Sequence, residues 1–426
     1  MEQSMPRMAR TEEFRAILDA PEKADRRIAL LAFTAVAYNV ILAFVNANVM
    51  RLSLPVVAGT EMLILLSGLT LVLRAGIRRS DRNVLYFVSA FVIITLFISL
   101  LNERVFVDTL RNALIIAIFV FLGRSTNRET VTTTFLWCSL LVLGVLILEL
   151  SSLTDYAKFL KPADYFLNTR GMAESKYNDT GLFNGALGFN GRFTYGIFSG
   201  PRTSSIFLEQ VSLANYAAVV CVFLVSLWRY ISPKARMIHL LTVVLIVVSN
   251  NTRMTSILTV LSLVGYFLYP RVPRYVSVLL VPVSLLLAIG VSLAYPGYYA
   301  DDFVGRVSVT GQFLMGMGFS ELFGMELDNI GHLVDSGYSY VIYSSTVFGL
   351  ITYWLFISFV VPQNTPERKR CANALALYIF MNLLVSGTAI FSMKTAAPLW
   401  LLVGVMSSAR VSWPSLSHRV RPRVRS

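Results

Sequence analysis

Four arginines stand in or beside polar stretches between long apolar segments, and their side chains suit the binding of phosphate. Arg192 and Arg202 bracket "FTYGIFSGP", Arg253 stands in "VVSNNTRMTSILTVL", and Arg306 follows in "DDFVGRVSV". Guanidinium groups match the geometry of phosphate oxygens. Arg253 also begins a predicted helix, where free backbone N–H groups favour an anion. The arginines therefore predict a phosphate or pyrophosphate site; the alternative is that they pair with nearby glutamates or lipid headgroups.

The stretch "GPRTSSIFLEQVSLANYA" places a glutamate in an otherwise apolar segment. In a continuous helix, Ser205, Glu209, Ser212 and Tyr216 share one face, and the same spacing extends back to Arg202. An ionised group in hydrocarbon costs at least about 2.5 kcal/mol, so this stripe must face a cavity or the protein interior. Glu209 is then either a catalytic base or the group that holds Arg202 in place.

A second set of candidate residues lies in "ELDNIGHLVDSGYSYVIY". Asp335 precedes a predicted helix, as a general base or simply as its N-cap. His332 and Tyr338 lie three residues before and after it and share its face if the turn is helical. His332 is a further candidate for the base, with an exposed loop histidine as the alternative, and Tyr338 is a candidate for contact with substrate.

The other polar or reactive side chains in the apolar segments indicate neither a metal site nor a cofactor site. Glu61, in the middle of the second apolar segment, either pairs with an arginine such as Arg111 or stays protonated. Cys138, Cys221 and Cys371 all fall in apolar segments, which predicts small buried hydrophobic residues. No His, Cys and Asp cluster has metal-ligand spacing, so arginines would have to supply the positive charge.

Composition indicates the elements that position these residues. The chain has 426 residues, of which 55% are hydrophobic and only 14% are charged. This predicts an all-α, polytopic integral membrane protein with about twelve transmembrane helices. The predicted helices cover residues 28–45, 52–73, 83–101, 105–122, 131–150, 204–228, 237–249, 253–269, 275–294, 339–361, 372–391 and 395–409.

The distribution of charge predicts the orientation. Most of the 37 Lys and Arg residues lie on the side that holds both termini, and the positive-inside rule places that side in the cytoplasm. The predicted divisions are a cytoplasmic segment 1–27, a transmembrane domain 28–409 and a basic cytoplasmic tail 410–426. The tail is interpreted as a topology signal that contacts lipid headgroups, and no nucleic-acid partner is expected.

Two connections are much longer than the others, residues 151–203 and 295–338, and both are predicted on the extracytoplasmic side. Their aromatic and glycine content predicts folded loops that rest on the membrane face; plain exposed connectors are the alternative. No internal repeat is visible, which weakens a secondary-transporter interpretation.

Three of these motifs resemble segments of bacterial Wzy-type polysaccharide polymerases and of the wider O-antigen polymerase and ligase superfamily. They are "PRTSSIFLEQVSLANYA", "SNNTRMTSILTVL" and "DSGYSYVIYSSTVFGLITYW", in this order along the chain. Gln210 stands where the family usually has proline, and Ala214 where it has glycine. Arg202, Glu209, Arg253 and Asp335 all match the family pattern.

The resemblance implies a GT-C-like enzyme of the bacterial inner membrane. Such an enzyme joins oligosaccharide repeat units carried on undecaprenyl pyrophosphate into exopolysaccharide or O-antigen at the periplasmic face, by metal-independent, inverting transfer. Membrane lipids and a chain-length-regulating or export protein are the further expected partners. The alternatives are a ligase that moves a finished glycan to an acceptor, and a flippase or transporter for the lipid-linked sugar.

Overall fold

The structure is a computed structural model, and it describes residues 7–172, 180–187, 193–198, 200–298, 300, 302–332, 336–385 and 387–411. Within these ranges the chain forms sixteen α-helices joined by short links and 3-10 turns. The helices are α1 (Arg7–Asn48), α2 (Leu54–Ala75), α3 (Arg82–Leu101), α4 (Asp108–Ser125), α5 (Arg128–Ser151), α6 (Leu153–Leu160), α7 (Pro162–Arg170), α8 (Gln210–Leu227), α9 (Pro233–Asn250), α10 (Arg253–Leu268), α11 (Arg274–Ala294), α12 (Phe303–Gly316), α13 (Phe319–Leu322), α14 (Gly337–Phe359), α15 (Pro366–Val385) and α16 (Met393–Ser407).

Apolar helices long enough to cross a bilayer dominate the described residues, and the all-α, membrane-embedded class is confirmed. By length and composition eight segments qualify. They are Asp25–Asn48, Leu54–Ala75, Arg79–Leu101, Arg128–Ser151, Gln210–Tyr230, Pro233–Asn250, Arg274–Ala294 and Gly337–Phe359. Helices α10 and α16 are apolar but shorter. Each of the twelve predicted segments overlaps a helix, and the number of crossings stays a prediction.

Among the predicted boundaries that differ from the helix ends, those of α1 and α15 involve charged residues. Helix α1 begins at Arg7 and runs without a break through the predicted division at residue 27. Helix α15 begins at Pro366, six residues before the predicted segment, and takes in the charged stretch "ERKR". The side chain of Arg368 is buried there and donates to the carbonyl oxygens of Met406 and Ser408. Because the Arg368 charge is satisfied inside the protein, the helix extends beyond its apolar part.

Two helices of the core, α8 and α16, are almost completely surrounded by protein. Nearly every residue of α8 and α16 is buried, and Trp400 of α16 is fully enclosed. Helix α16 crosses α4 at Gly123 and Gly404, where a Cβ atom on either glycine would collide with the backbone of the other helix. Small residues at such crossings let membrane helices approach closely. The burial of α16 explains how so short a helix can hold a central position.

The two long connections are folded segments that meet at one end of the bundle. The first contains α6 and α7, which pack against α1, α2 and α5. The second contains α12, which packs against α11 and α15, followed by α13 and a 3-10 turn at Leu327–His332. The beginnings of α8 and α10 and the ends of α9 and α15 lie at the same end. Their predicted location outside the cytoplasm stays a prediction.

Candidate functional site

Three of the four predicted arginines line one cavity where both long connections meet the bundle. Arg202 enters from the first connection, Arg306 from α12, and Arg253 from the beginning of α10. Phe193, Gln210, Asp302 and Val385 complete much of the wall, and the empty space is about 800 Å³ when its open mouth is included. Arg192 lies outside the described residues. The structure thus brings together three cationic side chains that are each about fifty residues from the next in sequence.

Arg253 is positioned by a two-residue link between α9 and α10. Asn251 takes a left-handed conformation, with φ of 54°, which asparagine tolerates better than most residues. Its side-chain oxygen accepts a hydrogen bond from the backbone N–H of Tyr195 at 2.9 Å. The guanidinium of Arg253 lies 5.0 Å from the centre of the Phe193 ring. The N-cap residue Thr252 makes no side-chain cap, so the positive end of the α10 dipole adds to the charge of Arg253.

Arg202 is positioned by a turn that the buried carboxylate of Glu149 organises. The oxygens of Glu149 accept the backbone N–H of Ser204 at 3.0 Å and that of Ser205 at 2.7 Å, and also the Ser204 hydroxyl at 3.2 Å. The backbone N–H of Arg202 donates to the carbonyl oxygen of Ala186 at 2.8 Å. Glu149 therefore contributes to the site by shaping the backbone that carries Arg202.

One asparagine connects the two arginine-bearing turns. The side-chain amide of Asn250, the last residue of α9, donates to the carbonyl oxygens of Thr203 at 2.7 Å and Gln210 at 2.9 Å. Asn250 is buried and lies three residues before Arg253. The relative position of Arg202 and Arg253 is therefore set by hydrogen bonds as well as by apolar packing.

Asp302 adds one negative charge to the cavity and caps α12. Its carboxylate accepts the backbone N–H of Gly305 at 2.7 Å and the hydroxyl of Tyr298 at 2.8 Å. These hydrogen bonds, with the charge of Arg253, hold the pKa of Asp302 below its ordinary value, so it is ionised at neutral pH. Arg306, one turn into α12, donates to the carbonyl oxygen of Val385 at 3.2 Å. Three arginines and one aspartate leave the wall positively charged.

The predicted polar stripe around Glu209 is wrong. Residues Ser205–Phe207 form a 3-10 turn, Leu208 is left-handed with φ of 61°, and α8 begins only at Gln210. Glu209 is the N-cap residue of α8, and its carboxylate lies 3.3 Å from Lys394 Nζ and 4.0 Å from Arg170. The break in the helix places Arg202 on the cavity wall, while Glu209 forms ion pairs elsewhere.

Lys394, Arg170 and Asp302 were absent from the sequence-based prediction. Lys394 is almost completely buried and donates to the carbonyl oxygen of Phe207 at 3.2 Å as well as to Glu209. The available signal was a lysine in "SMKTAAPLW", directly before an apolar segment, together with an unpaired acid at Glu209. Each of these charges required a buried partner.

The other candidates are placed as follows. Arg111 forms the predicted ion pair with Glu61, with Nε at 3.0 Å from Oε2, and the Tyr38 hydroxyl donates to the same carboxylate at 2.5 Å. Tyr338 is fully buried, and its hydroxyl lies 2.7 Å from that of Ser284, which gives it a role in packing α14 against α11.

The candidates for the base beyond Glu209 remain predictions. His332 ends a 3-10 turn, and the structure describes its backbone only. Asp335 lies outside the described residues. Among the residues that the structure describes, no group of three or more His, Cys, Asp or Glu side chains could hold a metal ion. The three cysteines are free and buried, as predicted.

No protein family, curated protein or solved structure matches this chain. The function therefore has to be inferred from the chemistry of the cavity and from the motifs that line it.

Proposed function

We propose that the chain is a membrane glycosyltransferase that polymerises undecaprenyl-pyrophosphate-linked repeat units into exopolysaccharide or O-antigen. The observation that carries the proposal is the meeting of Arg202, Arg253 and Arg306 in one cavity at the beginning of α10. Two of these arginines stand in the motifs that resemble the polymerases. The proposed setting is the periplasmic face of a bacterial inner membrane, with both termini in the cytoplasm.

In the proposed reaction, a hydroxyl group of one repeat unit attacks the anomeric carbon of a lipid-linked chain. The bond from that carbon to the pyrophosphate oxygen breaks, and the electron pair leaves with the lipid pyrophosphate. Arg202, Arg253 and Arg306 stabilise this developing negative charge from fixed positions, which is where preorganised charge lowers a barrier most. Direct attack inverts the configuration at the anomeric carbon.

The attacking hydroxyl has to lose a proton, and a nearby base has to accept it. Asp335 and His332 are the proposed candidates, because both belong to the connection that also supplies Arg306. The ion pairs of Glu209 with Lys394 and Arg170 support a structural role for that carboxylate instead. A charge held by two cations is a weak base.

Deletion of the gene followed by complementation tests this function. Cells that carry Arg253→Ala should accumulate single lipid-linked repeat units outside the cytoplasm, and cells with the parent chain should make long polymer. Full-length polymer that stays unattached would indicate the ligase alternative. Units trapped on the cytoplasmic side would indicate a flippase.

A further inference from the structure

A second polar region lies on α6 and α7, at the same end of the bundle as the arginine cavity. It consists of two neighbouring open cavities with about 920 Å³ and 890 Å³ of empty space, mouths included. Lys161 and Asp164 line both cavities. We call this region the Lys161 groove. Its other polar walls include Arg51, Asn168, Lys158 and Thr180.

Lys161 occupies a backbone position that favours glycine. It links α6 to α7 in a left-handed conformation, with φ of 40° and ψ of 62°. A residue with a Cβ atom costs roughly 1 kcal/mol or more there, whereas glycine does not. The Lys161 side chain is exposed, and it forms no hydrogen bond or ion pair with any described residue. Binding of a ligand by the Lys161 side chain would explain why a lysine, and not a glycine, occupies this strained backbone position.

The charges of the groove favour an anionic ligand with many hydroxyl groups. Arg51, Lys158 and Lys161 carry positive charge, and Asp164 is the acidic group among the lining residues. Asp164 is half-buried and offers a carboxylate as a hydrogen-bond acceptor. With the Asn168 amide, these groups can bond sugar hydroxyls as well as a carboxylate. The walls therefore combine the two kinds of contact that an acidic sugar requires.

Hydrogen bonds hold the groove rigid. The Asn46 side-chain oxygen accepts from the backbone N–H of Leu52 at 2.9 Å and from the Asn168 amide at 3.1 Å. The Asn48 amide donates to the carbonyl oxygen of Phe159 at 2.9 Å. These contacts join the end of α1, the link to α2, and α6 and α7. A site that is built before its ligand arrives loses little entropy on binding.

The groove is also connected to the arginine cavity through the backbone. Ala163 of α7 donates its N–H to the carbonyl oxygen of Gly181 at 3.1 Å. Five residues further along the chain, the carbonyl oxygen of Ala186 accepts the N–H of Arg202. Residues 181–186 thus run from the groove to the turn that carries Arg202.

We infer that the Lys161 groove binds an acidic oligosaccharide, with Lys161 and Arg51 on its carboxylate groups. Its place in the reaction rests on the proposed function: the groove would hold the saccharide chain while its end reacts at the arginines. Loss of this hold would shorten the polymer, because a released chain stops growing.

Binding of tetragalacturonate to the purified full-length chain tests the groove without any turnover. The protein is placed in phosphatidylcholine nanodiscs at low ionic strength, and isothermal titration calorimetry compares tetragalacturonate with the neutral maltotetraose. Lys161→Gly should weaken tetragalacturonate binding by about two- to fivefold, which is the effect of losing one exposed charge pair. The thermal midpoint should stay unchanged or rise, because glycine relieves the backbone strain. Lys161→Arg should retain binding.

Three results would overturn the inference. They are equal affinity of Lys161→Gly and the parent chain, no preference for the acidic sugar, and displacement of tetragalacturonate by soluble glycerol phosphate in the same phosphatidylcholine nanodiscs, which would indicate a lipid-headgroup site. Failure of the proposed function would look different. In that case tetragalacturonate would still bind the groove, but Arg253→Ala would not change the lipid-linked glycans.

Discussion

The side-chain amide of Asn250 donates to the carbonyl oxygen of Thr203 at 2.7 Å, and this bond joins the turn before Arg253 to the turn after Arg202. The two arginines approach the cavity from different helices, so their spacing depends on how those turns are held together. A packed apolar core tolerates small shifts, but a pair of buried carbonyl groups requires its donor.

Substitution of Asn250 should therefore disturb the positions of Arg202 and Arg253, although Asn250 is not itself proposed to contact the substrate. Asn250→Ala leaves the carbonyl groups of Thr203 and Gln210 without their donor, which should destabilise the chain by about 1–3 kcal/mol. We expect a lower thermal midpoint and at least tenfold less polymer. Asn329→Ala is the matched control, because the Asn329 side chain is exposed and donates to the neighbouring Glu326. Parent levels of polymer from Asn250→Ala would show that the positions of the two turns do not depend on these hydrogen bonds.

Substitutions in the pair of Glu209 and Lys394 test whether the Glu209 carboxylate has a structural or a catalytic role. Glu209→Gln leaves the buried Lys394 charge without its partner and should cost about 3–5 kcal/mol. Lys394→Met leaves Glu209 partly exposed and still 4.0 Å from Arg170, so it should cost less. The double substitution removes both charges and should recover much of the folded protein and of the polymer. Thermal unfolding and glycan length are measured on all three variants. A double variant that folds like the parent but makes no polymer would contradict a purely structural role for this pair.

The position of the helices could be predicted because bilayer-spanning segments need long apolar runs. The break in the helix at residues 204–209 could not be predicted from the sequence. Nothing local makes Leu208 left-handed; the turn exists because Glu149, Asn39 and Lys394 satisfy its backbone from other helices. A continuous apolar run conceals such a break.

The meeting of Arg202, Arg253 and Arg306 was accessible from the sequence for a related reason. Arg202 and Arg253 lie at the same end of two apolar segments, and Arg306 lies in a long connection predicted on that side, so helix topology alone brings all three to one end of the bundle. Asp302 was missed because its role depends on the beginning of α12, a helix inside a connection that was predicted only as a folded loop.

Removal of the negative charge of Asp302 should strengthen anion binding. Asparagine is as good an N-cap as aspartate, so Asp302→Asn keeps the start of α12 while the cavity gains one net positive charge. We expect inorganic pyrophosphate to bind about two- to fivefold more tightly, as measured by calorimetry at low salt. Asp302→Ala removes the cap as well and should lower stability by about 1 kcal/mol. Unchanged pyrophosphate affinity in Asp302→Asn would place the anion away from this wall.

Because Asp302 stays ionised, its titration should not change pyrophosphate binding or stability near neutral pH. The folded-state pKa of Asp302 is lowered, so its stabilising contribution is present above its ordinary value of about 3.9 and is lost only as pH falls through the lower, folded value. Pyrophosphate binding that strengthens between pH 8 and 5 in the parent relative to Asp302→Asn would contradict this, because protonation of Asp302 removes the same negative charge.

Close packing of α12 against α11 should be required for Arg306 to reach the cavity. A Cβ atom at Gly311 would collide with the backbone carbonyl oxygen of Ala288, so Gly311→Ala should displace α12 and cost about 1–3 kcal/mol. Gly316→Ala, in the same helix, meets open space and should be neutral. Limited proteolysis and polymer yield are compared for the two variants. Equal behaviour of both would show that α12 docks differently.

The most direct measurement is polymerisation by the purified chain in vesicles, supplied with a repeat unit on undecaprenyl pyrophosphate. We predict a ladder of products, with one lipid pyrophosphate released for each bond formed. Arg253→Ala should slow the reaction by about 100-fold or more, as loss of a preorganised charge does at other sites, and Arg253→Lys should be less affected. A parent chain that only moves the lipid-linked unit between leaflets, or an Arg253→Ala chain that polymerises at the parent rate, would contradict the account.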